Sequence, residues 1–435
     1  MRKNRLAYAL LAVPLAVLAA GCGGGGGGGS SSGSSDIKGN VSITGVWTGD
    51  EQKSFQAVLD AFMKKYPNVK VKYNSSGDNT PTVLSTAVQG GNPPDLASVS
   101  QPGLMKDFQK KGALKPLDFA KSDINDNYPS DFVKLTTIGG KIYGLIFKGA
   151  NKSTIWYNVK SLKDAGVEAP KTWDDLIKDA STIKASGTTP FSVGGADGWT
   201  LTDLFENIYL RQAGAAKYDQ LSNHTIKWTD PSVKKALQTM GQYLKGDLVA
   251  GGTSGALQTD FPTSVSNVFS DSPKAAMVAE GDFVPGVVAS SNPLKPIDGY
   301  NVFAFPSVDG SGDAVVGGGD TIMMFNDTPA SEALIKYLST AEASEIWAKR
   351  GGFSSPNKNL DTGVYPDEIT KTTASALATA KTFRFDMSDL QPAAFGGTVG
   401  QGEFKIFQDF LKNPSDVDGT AQALETSAAK AYASK

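Results

Sequence analysis

Residues 40–73, NVSITGVWTGDEQKSFQAVLDAFMKKYPNVKVKY, decide the fold class. Apolar and polar residues alternate over 41–45, which predicts a strand, and apolar residues then recur at helical spacing over 55–66. Pro67-Asn68 ends that helix, and residues 69–73 alternate again. A strand, a helix and a second strand within about 30 residues form a βαβ unit.

The same alternation continues along the chain. Residues 83–89 predict a helix that ends at Gly90-Gly91, and residues 96–99 predict a strand. Further on, the capping box Thr-Trp-Asp-Asp at 172–175 predicts the start of a helix. We therefore predict α/β layers with mainly parallel sheets.

The amino terminus has the features of an export signal. Residues 2–5 are mostly basic, and the apolar run 6–18 is shorter than the roughly 20 residues of a membrane-spanning helix. We predict a signal peptide over residues 1–21. Cys22 follows and is the single cysteine of the chain, which excludes an intrachain disulfide and thiolate clusters for zinc or iron–sulfur.

Residues 18–22, Leu-Ala-Ala-Gly-Cys, resemble a bacterial lipobox, although Ala19 replaces the leucine that is usual three positions before the cysteine. This resemblance implies that a diacylglycerol is attached to Cys22, which becomes the first residue of the mature protein. Glycine and serine fill residues 23–35 and cannot bury apolar surface, so we expect residues 22–39 to be a flexible tether. The protein is predicted to lie outside the cytoplasm, held to the outer face of the cell membrane by this lipid anchor only.

Composition excludes several classes of function. The chain has 435 residues, and 42 basic residues nearly balance 44 acidic ones, so nucleic acid is not an expected partner. The length after the tether suggests two domains of ordinary size. After the tether, whose low-complexity run matches Gly-x-Ser-x-Gly only by composition at 29–33, the sequence has no Gly-x-Ser-x-Gly elbow, no His-Glu-x-x-His helix and no Walker-type sequence. We expect no catalytic residue, no metal and no cofactor.

A series of short motifs occurs in order along the mature chain. The motifs are PPDL 93–96, IYGL 142–145, WYN 156–158, LKDAG 162–166, PKTWDDL 170–176, PKAAM 273–277, GDF 281–283, GGG 317–319, IWAKRGG 346–352 and SP 355–356. Together they resemble the extracellular solute-binding proteins of carbohydrate ABC importers, the group that includes maltose-binding protein. The resemblance spans essentially the whole mature chain, and the order of the motifs carries it.

This resemblance implies an α/β, two-lobed periplasmic-binding-protein-like fold of type II, with discontinuous lobes joined by a hinge. The expected lobes are 40–148 plus 321–350 for the first and 149–320 plus 351–435 for the second. A monomer would capture a mono- or oligosaccharide between the lobes and deliver it to ABC permease subunits in the membrane. Ligand contact with both lobes would favour the closed state.

The chemistry of a sugar suggests which residues hold it. Hydroxyl groups need polar donors and acceptors, and the C–H face of a pyranose needs a flat aromatic surface. The candidate ligand-binding residues are Trp47, Asp50, Glu51, Gln101, Trp199, Asp282, Phe283, Asp320, Arg350 and Phe395. The first four follow predicted strands, whose carboxyl ends face the crevice in open α/β sheets. Phe283 stands where the family usually has a sugar-stacking tryptophan.

Eight of the ten candidates also have a structural interpretation. Trp47 and Trp199 could belong to the core, and Asp50 and Glu51 could be favoured only as acids at a helix N-terminus. Gln101 leaves both interpretations equally open. Asp282 could be a solvated turn residue, and Asp320 could cap a strand or a turn. Arg350 could pair with an acid.

Three alternatives to a neutral sugar importer remain at this point. A sugar acid or a glycerol phosphodiester would need arginine, and the mature chain has only Arg211, Arg350 and Arg384. A secreted glycosidase needs a pair of catalytic carboxylates, and a chain with 44 acidic residues leaves such a pair possible. The single histidine, His224, lies in a polar stretch, which is typical of a surface residue and not of a catalytic one. A purely structural lipoprotein would explain the tether but not the ordered motifs.

Overall fold

The computed structural model describes residues 36–291 and 294–433. The predicted signal peptide 1–21, Cys22 and the tether as far as residue 35 lie outside these residues. Within the described ranges, no helix has the combination of length and hydrophobicity that a membrane crossing requires.

Strands and helices alternate through most of the described chain. The strands are β1 Gly39–Gly45, β2 Val69–Ser75, β3 Leu96–Val99, β4 Thr137–Ile138, β5 Lys141–Ile142, β6 Gly144–Asn151, β7 Thr154–Asn158, β8 Phe191–Ser192, β9 Met277–Ala279, β10 Tyr300–Ala304, β11 Val315–Met324 and β12 Phe383–Phe385. The helices before residue 250 are α1 Gly49–Lys65, α2 Thr80–Gln89, α3 Pro102–Lys110, α4 Lys121–Asn127, α5 Ser130–Leu135, α6 Val159–Ala165, α7 Trp173–Ala185, α8 Trp199–Ser222 and α9 Pro231–Tyr243. The later helices are α10 Gly252–Ala256, α11 Phe261–Phe269, α12 Val284–Ser291, α13 Pro329–Leu338, α14 Ala341–Ala348, α15 Glu368–Thr379, α16 Met387–Leu390, α17 Ala393–Gly396, α18 Gly402–Lys412 and α19 Val417–Ala433. Short 3-10 turns lie at Gly77–Asn79, Asp118–Ala120 and Thr362–Val364.

The predicted βαβ unit forms the start of the first sheet. Strand β1 pairs in parallel with β2 and with β3, and helix α1 buries Phe55, Val58 and Phe62. Helix α7 begins as its capping box predicts, because the Thr172 hydroxyl accepts a hydrogen bond from the amide of Asp175 at 3.1 Å. These local expectations from the sequence are confirmed.

The expectation of mainly parallel sheets is wrong, because both large sheets are mixed. In the first sheet, β11 is antiparallel to β3 and to β6 and parallel to β12. The second sheet has the order β10-β7-β9-β8, in which only β8 and β9 are parallel. The physical reason is that β11 runs back along β6 as one long strand instead of returning through a helical crossover.

Two large hydrophobic cores lie on either side of this strand pair. One core gathers Phe55, Leu59 and Trp347 beneath the first sheet. The other gathers Trp173, Phe205 and many residues of the long helices α8, α9, α18 and α19. Two bodies with separate cores, joined by strands that continue from one to the other, are the two-lobed α/β architecture that the sequence predicted.

The joining segments also place polar side chains between the two bodies. Lys148 of β6 and Asp320 of β11 are register partners, and the pairing shifts directly after Asp320. A third connection follows α14, where the amide of Gly149 donates to the carbonyl of Ser354 at 2.7 Å. Gly351 and Gly352 precede it with φ of 83° and 64°, a left-handed conformation that glycine adopts without strain.

Candidate functional site

A cleft of about 860 Å³ lies between the two bodies and is lined by both. We call its two sides the first wall and the second wall. The first wall contains Trp47, Asp50, Glu51, Asp78, Ser100, Gln101, Lys148, Asp320, Trp347 and Arg350. The second wall contains Lys152, Asp197, Trp199, Asp260, Phe261, Phe283 and Asp389. The cleft is within the size range of pockets for small ligands.

Trp47 anchors the first wall from within the core. Its side chain is 1% exposed, and its ring centroid lies 4.5 Å from that of Phe55 and 5.0 Å from that of Trp347. The indole N–H donates to Asp320 Oδ2 at 2.6 Å. Trp47 therefore borders the cleft while most of its ring packs against other aromatic residues.

Lys148 lies in the middle of the first wall. Its ammonium group is 2.8 Å from Glu51 Oε1 and 3.8 Å from Asp320 Oδ2, and its side chain is 5% exposed. Burial opposes the charge, but these two carboxylates outweigh it and raise the pKa of Lys148 above its usual value. Asp320 also accepts from the Ser100 hydroxyl at 2.9 Å. The central polar groups of this wall thus satisfy one another.

Arg350 and Asp50 lie towards the rim of the first wall. The Arg350 Nε donates to the Ser54 hydroxyl at 3.0 Å, and its side chain is exposed. Asp50 forms a surface ion pair with Lys53 at 2.7 Å. Pairs of this exposed kind contribute little free energy.

Three half-buried aromatic residues form the centre of the second wall. The ring of Trp199 lies 5.4 Å from that of Phe261 and 6.0 Å from that of Phe283, and the two phenyl rings are 5.2 Å apart. Trp199 is the first residue of α8, directly after Gly198, whose φ is 85°. Burial raises the pKa of Asp78, on the opposite wall, and its polar interaction with the Trp199 side chain acts against that rise. This interaction links the two walls.

Carboxylates border these aromatic rings. Asp197 accepts from the amide of Phe261 at 2.6 Å, and Asp260 caps α11 by accepting from the amide of Thr263 at 2.9 Å. Partial burial raises the pKa of Asp197 to about 7, and the nearby charges of Asp78 and Asp260 add to the effect. A hydroxyl-bearing ligand would meet hydrogen-bond acceptors here.

Lys152 neutralises a buried acidic cluster behind the second wall. Its ammonium group lies 3.1 Å from Asp203 and 3.8 Å from Asp389, and it also donates to Asp386. Burial opposes ionisation of Asp386, but Lys152 outweighs it and lowers the pKa of Asp386 to about 2. The same ammonium group is 5.6 Å from the centre of the Trp199 ring, so the cluster supports the aromatic surface from below.

The cleft brings together eight of the ten residues that the sequence singled out. They are Trp47, Asp50, Glu51, Gln101, Trp199, Phe283, Asp320 and Arg350. Their binding role stays a prediction.

Asp282 and Phe395 do not belong to the lining. Asp282 is 3% exposed and accepts a hydrogen bond from the Ser354 hydroxyl, and burial raises its pKa to about 6. Phe395 is fully buried and packs 5.4 Å from the ring of Trp228. The sequence misplaced both because it shows which loop a residue occupies but not which side of the loop faces the ligand.

Several residues that line the cleft were not among the candidates from the sequence. Asp197 stands in the same glycine-rich loop as Trp199, and Lys148 and Lys152 lie at or near the predicted lobe boundary after residue 148, so their positions carried a signal. No local pattern distinguishes Phe261 or Asp389 from other residues in the first turn of a helix. These two enter the cleft through the packing of distant segments.

Comparisons with known proteins agree with this architecture. The sequence model for the bacterial extracellular solute-binding protein family matches residues 47–345. The Osmoprotective compounds-binding protein GgtB of Synechocystis sp. is 33% identical over 402 residues, covering 91% of this chain and 92% of that protein. The Alpha-glucosides-binding periplasmic protein AglE of Rhizobium meliloti is 34% identical over 402 residues, covering 89% of this chain and 86% of that protein.

Solved structures show the same fold. The bacterial solute receptor AcbH, described as having an exclusive preference for β-D-galactopyranose, superposes with a TM-score of 0.80 at 19% identity, over 91% of this chain and all of that one. A chitin oligosaccharide binding protein gives a TM-score of 0.78 at 22% identity, over 91% of this chain and 99% of that one.

Proposed function

The chain belongs to the bacterial extracellular solute-binding protein family, and from this premise we propose that it is the substrate-binding component of an ABC-type importer for a neutral carbohydrate. It captures a mono- or oligosaccharide outside the cytoplasm and presents it to permease subunits in the membrane. This family consists of binding proteins, and the hydrolysis that drives import belongs to another subunit of the importer.

The observation that carries the proposal is the pairing of an aromatic surface with hydrogen-bonding groups across one cleft. Trp199, Phe261 and Phe283 offer flat apolar area, which suits the C–H face of a pyranose ring. Acceptors such as Glu51 and Asp197 lie beside this surface and suit hydroxyl groups. A carbohydrate has both kinds of surface.

The charge balance favours a neutral ligand. Three of the lining cations are already engaged by carboxylates: Lys53 by Asp50, Lys148 by Glu51, and Lys152 by its acidic cluster. Arg350 is the remaining lining cation and donates to Ser54 at the rim. A sugar acid or a glycerol phosphodiester would have to compete with these carboxylates, which makes an anionic ligand unfavourable.

We further propose that the lobes divide as the sequence suggested, with hinge segments near 147–152, 319–321 and 350–353. The lining of one cleft by residues of both bodies supports a ligand-stabilised closed state, because a ligand that contacts both walls favours the arrangement that brings them together. The permease would recognise the closed form of a monomer.

The proposal includes an anchor at Cys22. A diacylglycerol on this cysteine, followed by the glycine–serine tether, would keep the binding lobes close to the importer while allowing them to rotate. A single lipid chain anchors weakly, whereas two acyl chains hold a protein stably at a membrane.

Thermal shift against a panel of neutral sugars tests this function. Purified protein should melt at a higher temperature with one or more of maltose, sucrose, trehalose and galactose, since a ligand that binds only the folded state stabilises it. Glucuronate and glycerophosphoglycerol, a phosphodiester with no compensating cation, are the matched anionic controls and should give no shift. A shift with an anion alone, or turnover of the sugar into reducing products, would contradict the proposal.

A further inference from the structure

Two side-chain oxygens on the cleft lining are buried and have no hydrogen-bond partner among the described residues. They are Gln101 Oε1 and Asp389 Oδ2. Asp389 is only 4% exposed, so bulk water does not replace a partner. Buried polar groups in native proteins are almost always hydrogen-bonded, and an unpartnered one at a ligand cleft therefore needs an explanation.

The packing of the chain places these two residues at the same end of the cleft. Gln101 precedes α3, and a Cβ on Gly103 would lie 3.1 Å from the carbonyl oxygen of Asp389. A Cβ on Gly397 would lie 3.1 Å from Cγ of Gln101. Glycine at these positions permits the α16–α17 segment to approach the start of α3 closely. Gln101 comes from the first wall and Asp389 from the second.

Lys152 does not satisfy Asp389. The distance from its ammonium group to Asp389 Oδ2 is 3.8 Å, too long for a hydrogen bond, whereas Asp203 lies at 3.1 Å and Asp386 accepts from Lys152 directly. Burial, followed by the charge of Asp386, raises the pKa of Asp389 well above its usual range. A protonated carboxyl group both donates and accepts, as a sugar hydroxyl does.

We propose that Asp389 and Gln101 form a hydroxyl-recognition subsite that joins the two walls, in which hydroxyl groups of the bound carbohydrate supply the partners that the two buried oxygens lack. The inference rests on the proposed function. It adds a specificity-determining residue from the carboxyl-terminal segment and identifies the class of group that this residue recognises. Because the two oxygens belong to different walls, a ligand that reaches both also favours closure.

Calorimetric titration of Asp389 variants tests the subsite. The probe is whichever of maltose, sucrose and trehalose binds the wild-type protein most tightly. Asp389→Ala should weaken its affinity about tenfold to a hundredfold, because the ligand hydroxyl loses its partner. Asp389→Asn should stay within about threefold of wild type, since an amide keeps a donor and an acceptor at the same place.

Monodeoxy derivatives of the same disaccharide separate recognition from structural support. Wild-type protein should bind one derivative about tenfold more weakly than the parent sugar, because that derivative lacks the recognised hydroxyl. Asp389→Ala should bind the parent and that derivative equally. A residue with only a structural role would lower the affinity for both and leave their ratio unchanged.

Each outcome decides the inference. Unchanged affinity in Asp389→Ala, or an unchanged ratio between parent and deoxy sugar, would overturn it while leaving the proposed function intact. If no sugar binds the wild-type protein, the proposed function fails and the subsite fails with it. Should Asp389→Ala not fold, Gln101→Ala provides the same measurement, because the Gln101 side chain makes no capping hydrogen bond to α3.

Discussion

Trp47 and Trp199 are the same residue type on opposite walls of one cleft, yet the molecule uses them differently. Trp47 is 1% exposed, and its indole N–H donates a hydrogen bond to Asp320 of the same wall. Trp199 is half-buried and lines the cleft beside Phe261 and Phe283. The tryptophan of the first wall is therefore held by contacts within that wall, whereas the tryptophan of the second wall leaves part of its ring open to the cleft.

Lys148 and Lys152, one on each wall, also differ in how their charges are paired. Lys148 shares its wall with Glu51 and Asp320, and Asp320 has further donors in Trp47 and Ser100. Lys152 is the ion-pair partner of three acids behind the second wall. Glu51 is partly exposed and Asp320 has other donors, whereas Asp203 and Asp386 are buried and share one cation, so the two lysines should respond differently to mutation.

The largest effect should follow the loss of Lys152. Lys152→Met leaves Asp386 and Asp203 buried without their cation, which costs about 3–5 kcal/mol of unfolding free energy. Lys148→Met should cost less, about 1–3 kcal/mol, because Asp320 keeps its other donors. Chemical denaturation of both variants measures the difference, with Lys53→Met as the control for an exposed pair. Equal losses for the two buried lysines would remove the contrast between the walls.

The next largest effect distinguishes the two tryptophans directly. Trp199→Ala should weaken sugar affinity about 30-fold, or ~2 kcal/mol, because a central aromatic contact is lost. Trp47→Phe keeps an aromatic core residue but removes one donor to Asp320, so it should lower stability by about 1–2 kcal/mol and change affinity by less than about threefold. Calorimetry and denaturation on both variants check this. If Trp47→Phe loses more affinity than Trp199→Ala, the main sugar-contacting surface lies on the first wall and not on the second.

Local sequence predicts those parts of the molecule that depend on near neighbours in the chain. The βαβ unit and the cap at Thr172 depend on neighbours within a few residues, and both formed as the pattern indicated. Residues after the carboxyl ends of β1 and β3 reached the cleft for the same reason, since such ends share one edge of the sheet. Motif order was enough to identify the two-lobed fold.

Long-range packing decides what the sequence could not show. Trp47 and Asp320 are 273 residues apart in the chain, so no spacing rule could indicate that one satisfies the other. The antiparallel course of β11 and the burial of Phe395 depend in the same way on segments that meet only in the folded protein. Asp389 belongs to this group, because the contact between α16 and α3 brings it to the cleft.

The smallest effect concerns Asp197, whose pKa of about 7 reflects partial burial next to the acids Asp78 and Asp260. Because the folded state holds this proton more tightly than the unfolded chain, stability due to Asp197 is present below about pH 4 and is lost as pH rises through about 7. Asp197→Asn removes that titration. Its melting temperature should therefore fall less steeply than that of wild type between these pH values.

Melting curves across this pH range measure the slope, with Asp247→Asn as a matched control. Asp247 is an exposed acid that pairs with Lys184 at the surface, at 2.6 Å, and its pKa is lowered rather than raised. Its replacement should leave the slope between pH 5 and 7 as in wild type, because this carboxyl has already lost its proton in that range. If Asp197→Asn also keeps the wild-type slope, neither burial nor the nearby acids Asp78 and Asp260 raise the pKa of Asp197 in the folded protein, and the second wall is as well compensated as the first.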